Sequence, residues 1–425
     1  MRYCLRCCYP ENTKPYIIFD DKGICSGCRV HEQGYFKENL DWTSREEELR
    51  KILESYKKKA EELGSPYDCI IPVSGGKDSH YQAHLITKVY KMRPLFVTYN
   101  HAYNSKIGIA NLTNLIDKFG CDLLRYTTNP KTAAKISRYF LKKIGDITWH
   151  YHAGIMTFPI QVAVRYKIPL IIWGEQGESY LFGMFNLDDK VEFTKKTRQE
   201  QMMRGFEPED VLDDPENKEI TKTDLAPFFY PSDNEISSIG VRGIYLGNYH
   251  KWDQQRNVEF VIKNYEFKTL QARQTTFNLY EKTDDFFQDT HNYLKYLKFG
   301  YSRCTDHASV EIRAGRMTRE QGIEMIRKYE HLLRPKNLDI FLKFIGYTEK
   351  QFVDEIEHLR DPNVWQKKPD GKWELLDWIG NHINDPGVEE ARLPLREKWE
   401  QVKSPPTKFT RNMFTDTDDE ECIYL

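Results

Sequence analysis

The apolar run Ile70-Ile71-Pro72-Val73 leads directly into Ser74-Gly75-Gly76-Lys77-Asp78-Ser79, and a helical pattern begins near Asp78. A short strand, a double-glycine turn and a helix in immediate succession make a βα unit, which buries its strand inside a parallel sheet. Backbone N–H groups at a glycine turn and at a helix N-terminus form a cradle for phosphate, and the serine hydroxyls at either end add donors. Ser, Gly and Asp also suit an ordinary turn. Paired glycines, a lysine, an aspartate and two hydroxyls at one strand-to-helix junction favour the anion site. The loop is not a Walker motif, which needs a longer glycine run and Lys followed by Ser or Thr.

The flanking pattern repeats the unit. Residues 94–99, 122–127 and 169–173 read as strands, with helical spacing over 78–90, 105–119, 131–144 and 155–166 between them, and 243–249 returns a further strand. This alternation predicts an α/β fold with a doubly wound parallel sheet. Ahead of it, residues 40–63 predict a connecting helix capped by Thr43 or Ser44, with glutamates in its first turn. Residues 188–238 are strongly charged and aperiodic around Asp213-Asp214-Pro215-Glu216-Asn217, as in an insertion or lid, with solvated helices as the alternative. From Asp253 to about His382 the pattern is helical and aromatic-rich, and the end of the chain, with Pro405-Pro406 and the acidic run over 416–421, reads as an extended tail. The expected organisation is a module over 1–38, a sheet domain over 39–252 and a helical region with tail over 253–425.

The 62 Lys and Arg balance 64 Asp and Glu, a formal net charge of −2, so no long-range field draws a polyanion and a nucleic-acid partner is not expected. No apolar run approaches the roughly 20 residues of a membrane span. The N-terminus has no signal-like apolar region, so a cytoplasmic protein is expected.

Cys4-Leu5-Arg6-Cys7 and Cys25-Ser26-Gly27-Cys28 are two C-x₂-C knuckles separated by 17 residues, the pattern of a four-cysteine zinc ribbon. Cys8 competes with Cys7 for the second position. Four thiolates complete a tetrahedron and leave no open position, so a metal held by Cys4, Cys7, Cys25 and Cys28 is structural zinc rather than catalytic. Its removal is expected to unfold the first module and leave the rest largely intact. Of the other cysteines, Cys69 lies in a buried-looking strand, and Cys121, Cys304 and Cys422 are unpaired in sequence.

The segment Ser74 to Ser79 resembles the loop of the N-type ATP pyrophosphatases, the PP-loop group of HUP-like folds that includes GMP synthetase, NAD synthetase, asparagine synthetase and tRNA thiolases. The resemblance implies ATP cleavage between the α- and β-phosphates. Ser74, Gly75, Gly76 and Ser79 would hold the departing pyrophosphate, Lys77 would neutralise charge, and Asp78 would hold Mg²⁺ or orient the loop. In an open α/β sheet the ligand lies beyond the carboxyl ends of the strands. That places Tyr99, Asn100 and His101 as adenosine contacts and Gly174-Glu175-Gln176-Gly177-Glu178-Ser179 near the α-phosphate or the acceptor.

A wider set of segments resembles the N-acetyl sugar amidotransferases of bacterial surface-glycan biosynthesis over most of the chain. These are the cysteine ribbon, the loop, His150-Tyr151-His152-Ala153-Gly154-Ile155-Met156-Thr157-Phe158-Pro159, residues 168–175, and Tyr301-Ser302-Arg303-Cys304-Thr305-Asp306-His307-Ala308-Ser309. This resemblance implies that a sugar acetamido oxygen attacks the α-phosphate to give an O-adenylyl imidate, from which ammonia displaces AMP to leave an acetamidino group. It also implies ammonia from a separate glutaminase subunit, sometimes with a cyclase-like channelling subunit. No glutaminase nucleophile stands out in the chain, in agreement. His152 and Thr157 are candidates for binding the acetamido sugar, a nucleotide-linked nonulosonate or a hexuronic acid derivative, or for stabilising the imidate. Arg303, Asp306 and His307 are substrate-binding candidates on a loop ahead of a helix, with a structural hydrogen-bond cluster as the plain alternative. Glu175 is a candidate base that deprotonates ammonium, with a plain hydrogen-bonding role as the alternative, and His150 reads equally as a site residue or as a surface or capping residue. Trp252 reads as core. The alternatives are a tRNA thiolase of the same loop family and a non-catalytic nucleotide-binding module.

Overall fold

The computed structural model describes residues 1–36, 40–331 and 334–406. The acidic run over 416–421 and Cys422 lie outside the described residues.

Five strands build one parallel sheet: β1 Cys69–Pro72, β2 Pro94–Asn100, β3 Leu123–Thr127, β4 Leu170–Trp173 and β5 Arg242–Tyr245, in spatial order β3-β2-β1-β4-β5. The chain moves outward from β1 to β3, then crosses back to place β4 on the other side of β1. The switch of direction beside β1 opens a crevice at the carboxyl ends of β1 and β4.

Alternation along the strands divides the core in two. Ile70, Leu95, Val97 and Ile171 point to one face, where they meet Phe140, Trp149 and Phe158. Those partners come from α4 Pro130–Ile144 and α5 Trp149–Tyr166. Cys69, Ile71, Phe96, Leu170 and Ile172 point to the other face, against Leu49 and Leu53 of α1 Trp42–Glu62, Ala83 of α2 Lys77–Ala83, and Leu115 of α3 Lys106–Phe119. The expected doubly wound α/β sheet is therefore the observed one, and Cys69 is core.

Several local expectations are corrected. Helix α1 starts at Trp42 because the Asp41 carboxylate accepts from the Ser44 N–H, so the cap is neither Thr43 nor Ser44 and no glutamate falls in the first turn. Residues 188–238 are not a loose lid: Met203, Val211, Ile220, Leu225 and Phe228 are buried in the first core. That segment is aperiodic because it is cut into helices of three to seven residues, Lys195–Thr197, Pro208–Asp213 and Asp233–Ile239 among them, too short to show a period.

The helical pattern after Asp253 is interrupted twice. Helix α7 Gln254–Tyr265 ends at Glu266 in the left-handed conformation, and residues 268–287 contain no helix. Polar side chains there bond the local backbone instead, Asn278 Oδ1 accepting from Tyr280 N and Glu281 N, and Asp285 Oδ1 from Phe287 N. Helices α8 Gln288–Phe299, α9 Arg303–Arg313 and α10 Arg319–Tyr329 follow. Trp365–Lys367 and Trp373–Leu375 then form an antiparallel hairpin within the stretch read as helical; its turn, Pro369-Asp370-Gly371, was available in the sequence.

The cysteine knuckles do not form a separate body. Cys4, Cys7, Cys8, Cys25 and Cys28 share one buried cluster with Phe182, Tyr301, Ala308, Ile312, Ile323 and Ile326. The first module and the C-terminal helices therefore have a common core, which couples the module's stability to theirs.

Candidate functional site

At the end of β1, Gly75 sits at φ +84°, and a Cβ there would lie 2.8 Å from the Leu112 backbone of α3. Only glycine lets the loop pass that close. Ser79 Oγ accepts from Ser74 N at 3.0 Å and Ser74 Oγ from Gly76 N at 3.2 Å, closing the loop on itself. His80, fully buried, bonds Gly76 O through Nδ1 and Asn114 Oδ1 through Nε2, each at 3.0 Å, and so ties the loop to α3. The first-turn N–H groups of α2 have no carbonyl one turn earlier and face the end of the strand.

A cleft of about 190 Å³ opens beside this loop. Of the residues expected from the sequence, Ser74, Asp78, Ser79, Tyr99, Asn100, His101, Gly174 and Glu175 line it together. Gly75 and Gly76 shape the turn without lining the cleft. Lys77 points away from it: only 2 % exposed, its ammonium lies 2.6 Å from Asp78 Oδ2 and 3.5 Å from Glu281 Oε1. Burial opposes the Lys77 charge, but Asp78 and Glu281 outweigh it and keep the amine protonated beyond its ordinary range.

With Oδ2 engaged, Asp78 Oδ1 is buried without a partner. A buried carboxylate oxygen of this kind needs a donor or a cation, so the residue fits a divalent ion arriving with a nucleotide. Glu175 stands opposite. Burial first, and then the Asp78 charge, push its carboxyl up to about 8 against the pull of Lys77.

Tyr99 and Asn100 have structural duties as well. The Tyr99 hydroxyl accepts from Thr128 Oγ1, and Gly154 of α5 packs so closely that a Cβ would enter the Tyr99 ring. The Asn100 amide donates to Thr127 Oγ1 and accepts from Ala102 N. His101 Nε2 is 3.6 Å from Asp284 Oδ2.

The remaining expected residues are not in the cleft wall. Thr157 is buried and accepts from Arg198 Nε at 2.9 Å, so its hydroxyl holds the 198–228 segment. His152 is half-buried beside Thr148 Oγ1 and His291, while His150, read as a surface residue, is fully buried between Tyr99 and Tyr103. Arg303, Asp306 and His307 lie within α9, not ahead of it, and are engaged behind the loop. Glu281 receives Arg303 Nη2 at 3.0 Å and His307 Nε2 at 3.1 Å, and Asp306 receives Lys295, Arg303 and the Tyr9 hydroxyl. Burial alone would keep Glu281 neutral; Lys77, Arg303 and His307 outweigh it and hold its carboxyl well below the usual range. Trp252 is core, as expected.

Asn104, Arg125, Lys282 and Asp284 are among the cleft residues that escaped the sequence reading. Asn104 Nδ2 and Arg125 Nε are buried without partners, as is Nε1 of Trp173, another cleft residue. Arg125 had a readable signal, a lone cation in the strand 122–127.

The four ligand sulfurs of Cys4, Cys7, Cys25 and Cys28 lie within 4.8 Å of one another, with Cys4 to Cys28 at 4.0 Å and Cys7 to Cys25 at 3.6 Å. A tetrahedral zinc with bonds of about 2.3 Å spaces its sulfurs by about 3.8 Å, so the set fits. Cys8 is outside the set; its N–H donates to Ser309 Oγ in α9. Arg313, buried, approaches Cys28 Sγ at 3.4 Å and Cys25 Sγ at 3.5 Å, and donates to Leu181 O at 2.6 Å at the end of α6 Gly177–Phe182. One guanidinium thus offsets thiolate charge and anchors the helix that follows Glu175.

Comparison with known proteins gives a match over residues 257–379 to the family described as "LPS biosynthesis protein WbpG-like, C-terminal domain". An uncharacterized protein of Methanocaldococcus jannaschii, MJ1599, is 31% identical over 121 residues, 28% of this chain and 41% of that protein, so the chain spans less than half of its length. Among solved structures, the NH3-dependent NAD synthetase of Campylobacter jejuni is 14% identical with a TM-score of 0.26, covering 47% of this chain and 92% of that one. The NMN synthetase of Francisella tularensis is 13% identical with a TM-score of 0.27, covering 52% of this chain and 96% of that one. The family match agrees with the resemblance drawn from the sequence: residues 257–379 are similar to the C-terminal domain of the WbpG-like LPS biosynthesis proteins.

Proposed function

We propose that this protein is an ATP-dependent amidotransferase that converts the acetamido group of a sugar to an acetamidino group in bacterial surface-glycan biosynthesis. The observation that carries the reading is the meeting, in one cleft, of Ser74, Asp78 and Ser79 from a glycine-turned loop suited to pyrophosphate and a half-buried carboxylate, Glu175, with a pKa of about 8.

In this reading Ser74, Ser79 and the loop backbone hold the β- and γ-phosphates, and the amide oxygen of the acceptor attacks the α-phosphate. A P–O bond forms to the amide oxygen, the bond to pyrophosphate breaks, and an O-adenylyl imidate results. Adenylation is needed because an amide is a poor electrophile. Asp78 Oδ1 would hold a divalent ion, whose chemistry is to neutralise charge on the departing pyrophosphate. Ammonia then forms a C–N bond at the imidate carbon, the C–O bond breaks, and AMP leaves. Glu175 is the base for the incoming nitrogen. Its pKa near 8 matches that task better than an ordinary carboxylate, because proton transfer is most effective when the base is close to the working pH.

Lys77 acts behind the loop, holding Asp78 and Glu281 rather than touching phosphate. The organisation into a cysteine module over 1–38, a catalytic domain over 39–252 and a helical region over 253–425 belongs to this proposal, as do a separate glutaminase subunit as ammonia donor and structural zinc at the four cysteines. Among the described residues the cleft wall holds no cysteine, so the thiolase alternative has less support there. The test is mass spectrometry of acetamido sugars incubated with ATP, Mg²⁺ and ammonium. The expected product has one oxygen replaced by NH and appears with equimolar AMP and pyrophosphate; no such product from any acetamido sugar refutes the assignment.

A further inference from the structure

Glu175 lines two cavities. One is the cleft; the other is a smaller space of about 30 Å³ that shares only Glu175 with it and whose walls include Gln176, Ser179, Leu187, Gly247 and Trp252. We propose that this second space is the inlet by which ammonia reaches the imidate, separate from the opening used by ATP and the sugar. The inference rests on ammonia being the nucleophile.

Size is the first argument. About 10–15 Å³ of such space holds one water-sized molecule, so the inlet admits ammonia and excludes nucleotide and sugar. Position is the second. The space is lined both by Asn186, which is exposed, and by Glu175, whose carboxylate serves the attacking nitrogen. Polarity is the third. Trp252, buried in the wall, has an indole N–H with no partner, a donor that a passing ammonia lone pair satisfies. The chemical balance is unchanged: NH₃ adds at the imidate carbon, AMP departs with the oxygen, and the proton lost by nitrogen goes to Glu175.

Gly247 is the place to test it. A Cβ there would stand 3.4 Å from Glu175 Cα and 3.7 Å from its Cβ, ordinary contact, so a larger side chain can be carried beside the inner end of the space. Full-length protein carrying Gly247→Leu is assayed for AMP formation across a range of ammonium concentrations at saturating ATP and sugar. The expected result is an ammonia KM raised tenfold or more, with the ATP KM and thermal midpoint unchanged. If Gly247→Leu lowers the midpoint, Asn186→Trp at the exposed mouth replaces it, with the same expectation. An unchanged ammonia KM in the folded variant overturns the inlet. Wild-type protein whose AMP formation ignores ammonium overturns instead the reading on which the inlet rests.

Discussion

Replacing Glu175 by Gln separates a catalytic base from a structural carboxylate, because the two readouts move in opposite directions. The native carboxyl titrates near 8, whereas its ordinary value is 4.5. Below pH 4.5 both folded and unfolded chains hold the proton and the group is neutral to stability. As pH rises, the unfolded chain releases its proton first, so the fold loses about 1.4 kcal/mol per pH unit until Glu175 itself ionises near pH 8. At pH 7 the accumulated loss is about 3 kcal/mol at most. Glu175→Gln has no proton to release and escapes that loss. Its thermal midpoint is expected to match wild type near pH 4.5, to exceed it at pH 7, and to gain no further above pH 8. Activity is expected to fall by about 10²–10⁴, the usual worth of a positioned base, and the low-pH limb of wild-type turnover, with its midpoint near 8, is expected to vanish. Differential scanning fluorimetry across pH and an AMP-release assay read the two effects. A variant with wild-type turnover and an unaltered pH profile would refute the base, and one less stable than wild type at pH 7 would refute the electrostatic account of Glu175.

Asp78→Asn removes the unpartnered oxygen's charge, and MgATP affinity measured by calorimetry is expected to fall about tenfold or more, with metal-free ATP binding much less affected; equal losses would remove the ion from Asp78. Gly75→Ala forces a side chain into a left-handed backbone position and onto Leu112, so a destabilisation of about 1–3 kcal/mol or more is expected in denaturant titration, and a wild-type midpoint would contradict the close approach. Stripping metal with a chelator is expected to speed amide exchange in residues 303–329 together with 4–28, since they share a core, while β1 to β4 stay protected; exchange confined to 4–28 would restore the independent module.

What could be read from sequence was chemistry concentrated in short segments. Ser74 to Ser79, the two cysteine knuckles and Glu175 each announce themselves within six residues or fewer, and all belong to strand ends or tight turns where local geometry fixes the side chains. The strands were legible for the same reason, their length and β-branched content setting them apart from the helices. The partners of these groups were not. Glu281 meets Lys77 from a stretch over 268–287 held by Asn and Asp side chains rather than by a helix or sheet, so no period marks which residues face inward. Thr157 and Arg198 illustrate the converse, since a hydroxyl beside a motif looked available until its long-range partner was in place. The order within Arg303-Cys304-Thr305-Asp306-His307 was visible, but its direction was not: placed on a helix, these side chains brace the loop from behind.

The common core of the knuckles and the C-terminal helices also sets a timetable for synthesis. Cys4 to Cys28 are synthesised before the residues that cover them, since Ala308, Ile312 and Ile323 follow about 300 residues later, a delay of about 15–60 s at the usual elongation rates. Through that interval the thiols are without their final cover and open to oxidation or stray metals, and Arg313 has not yet been made. Early capture of an ion by the nascent knuckles would close that window, bringing their four sulfurs together before the covering helices exist.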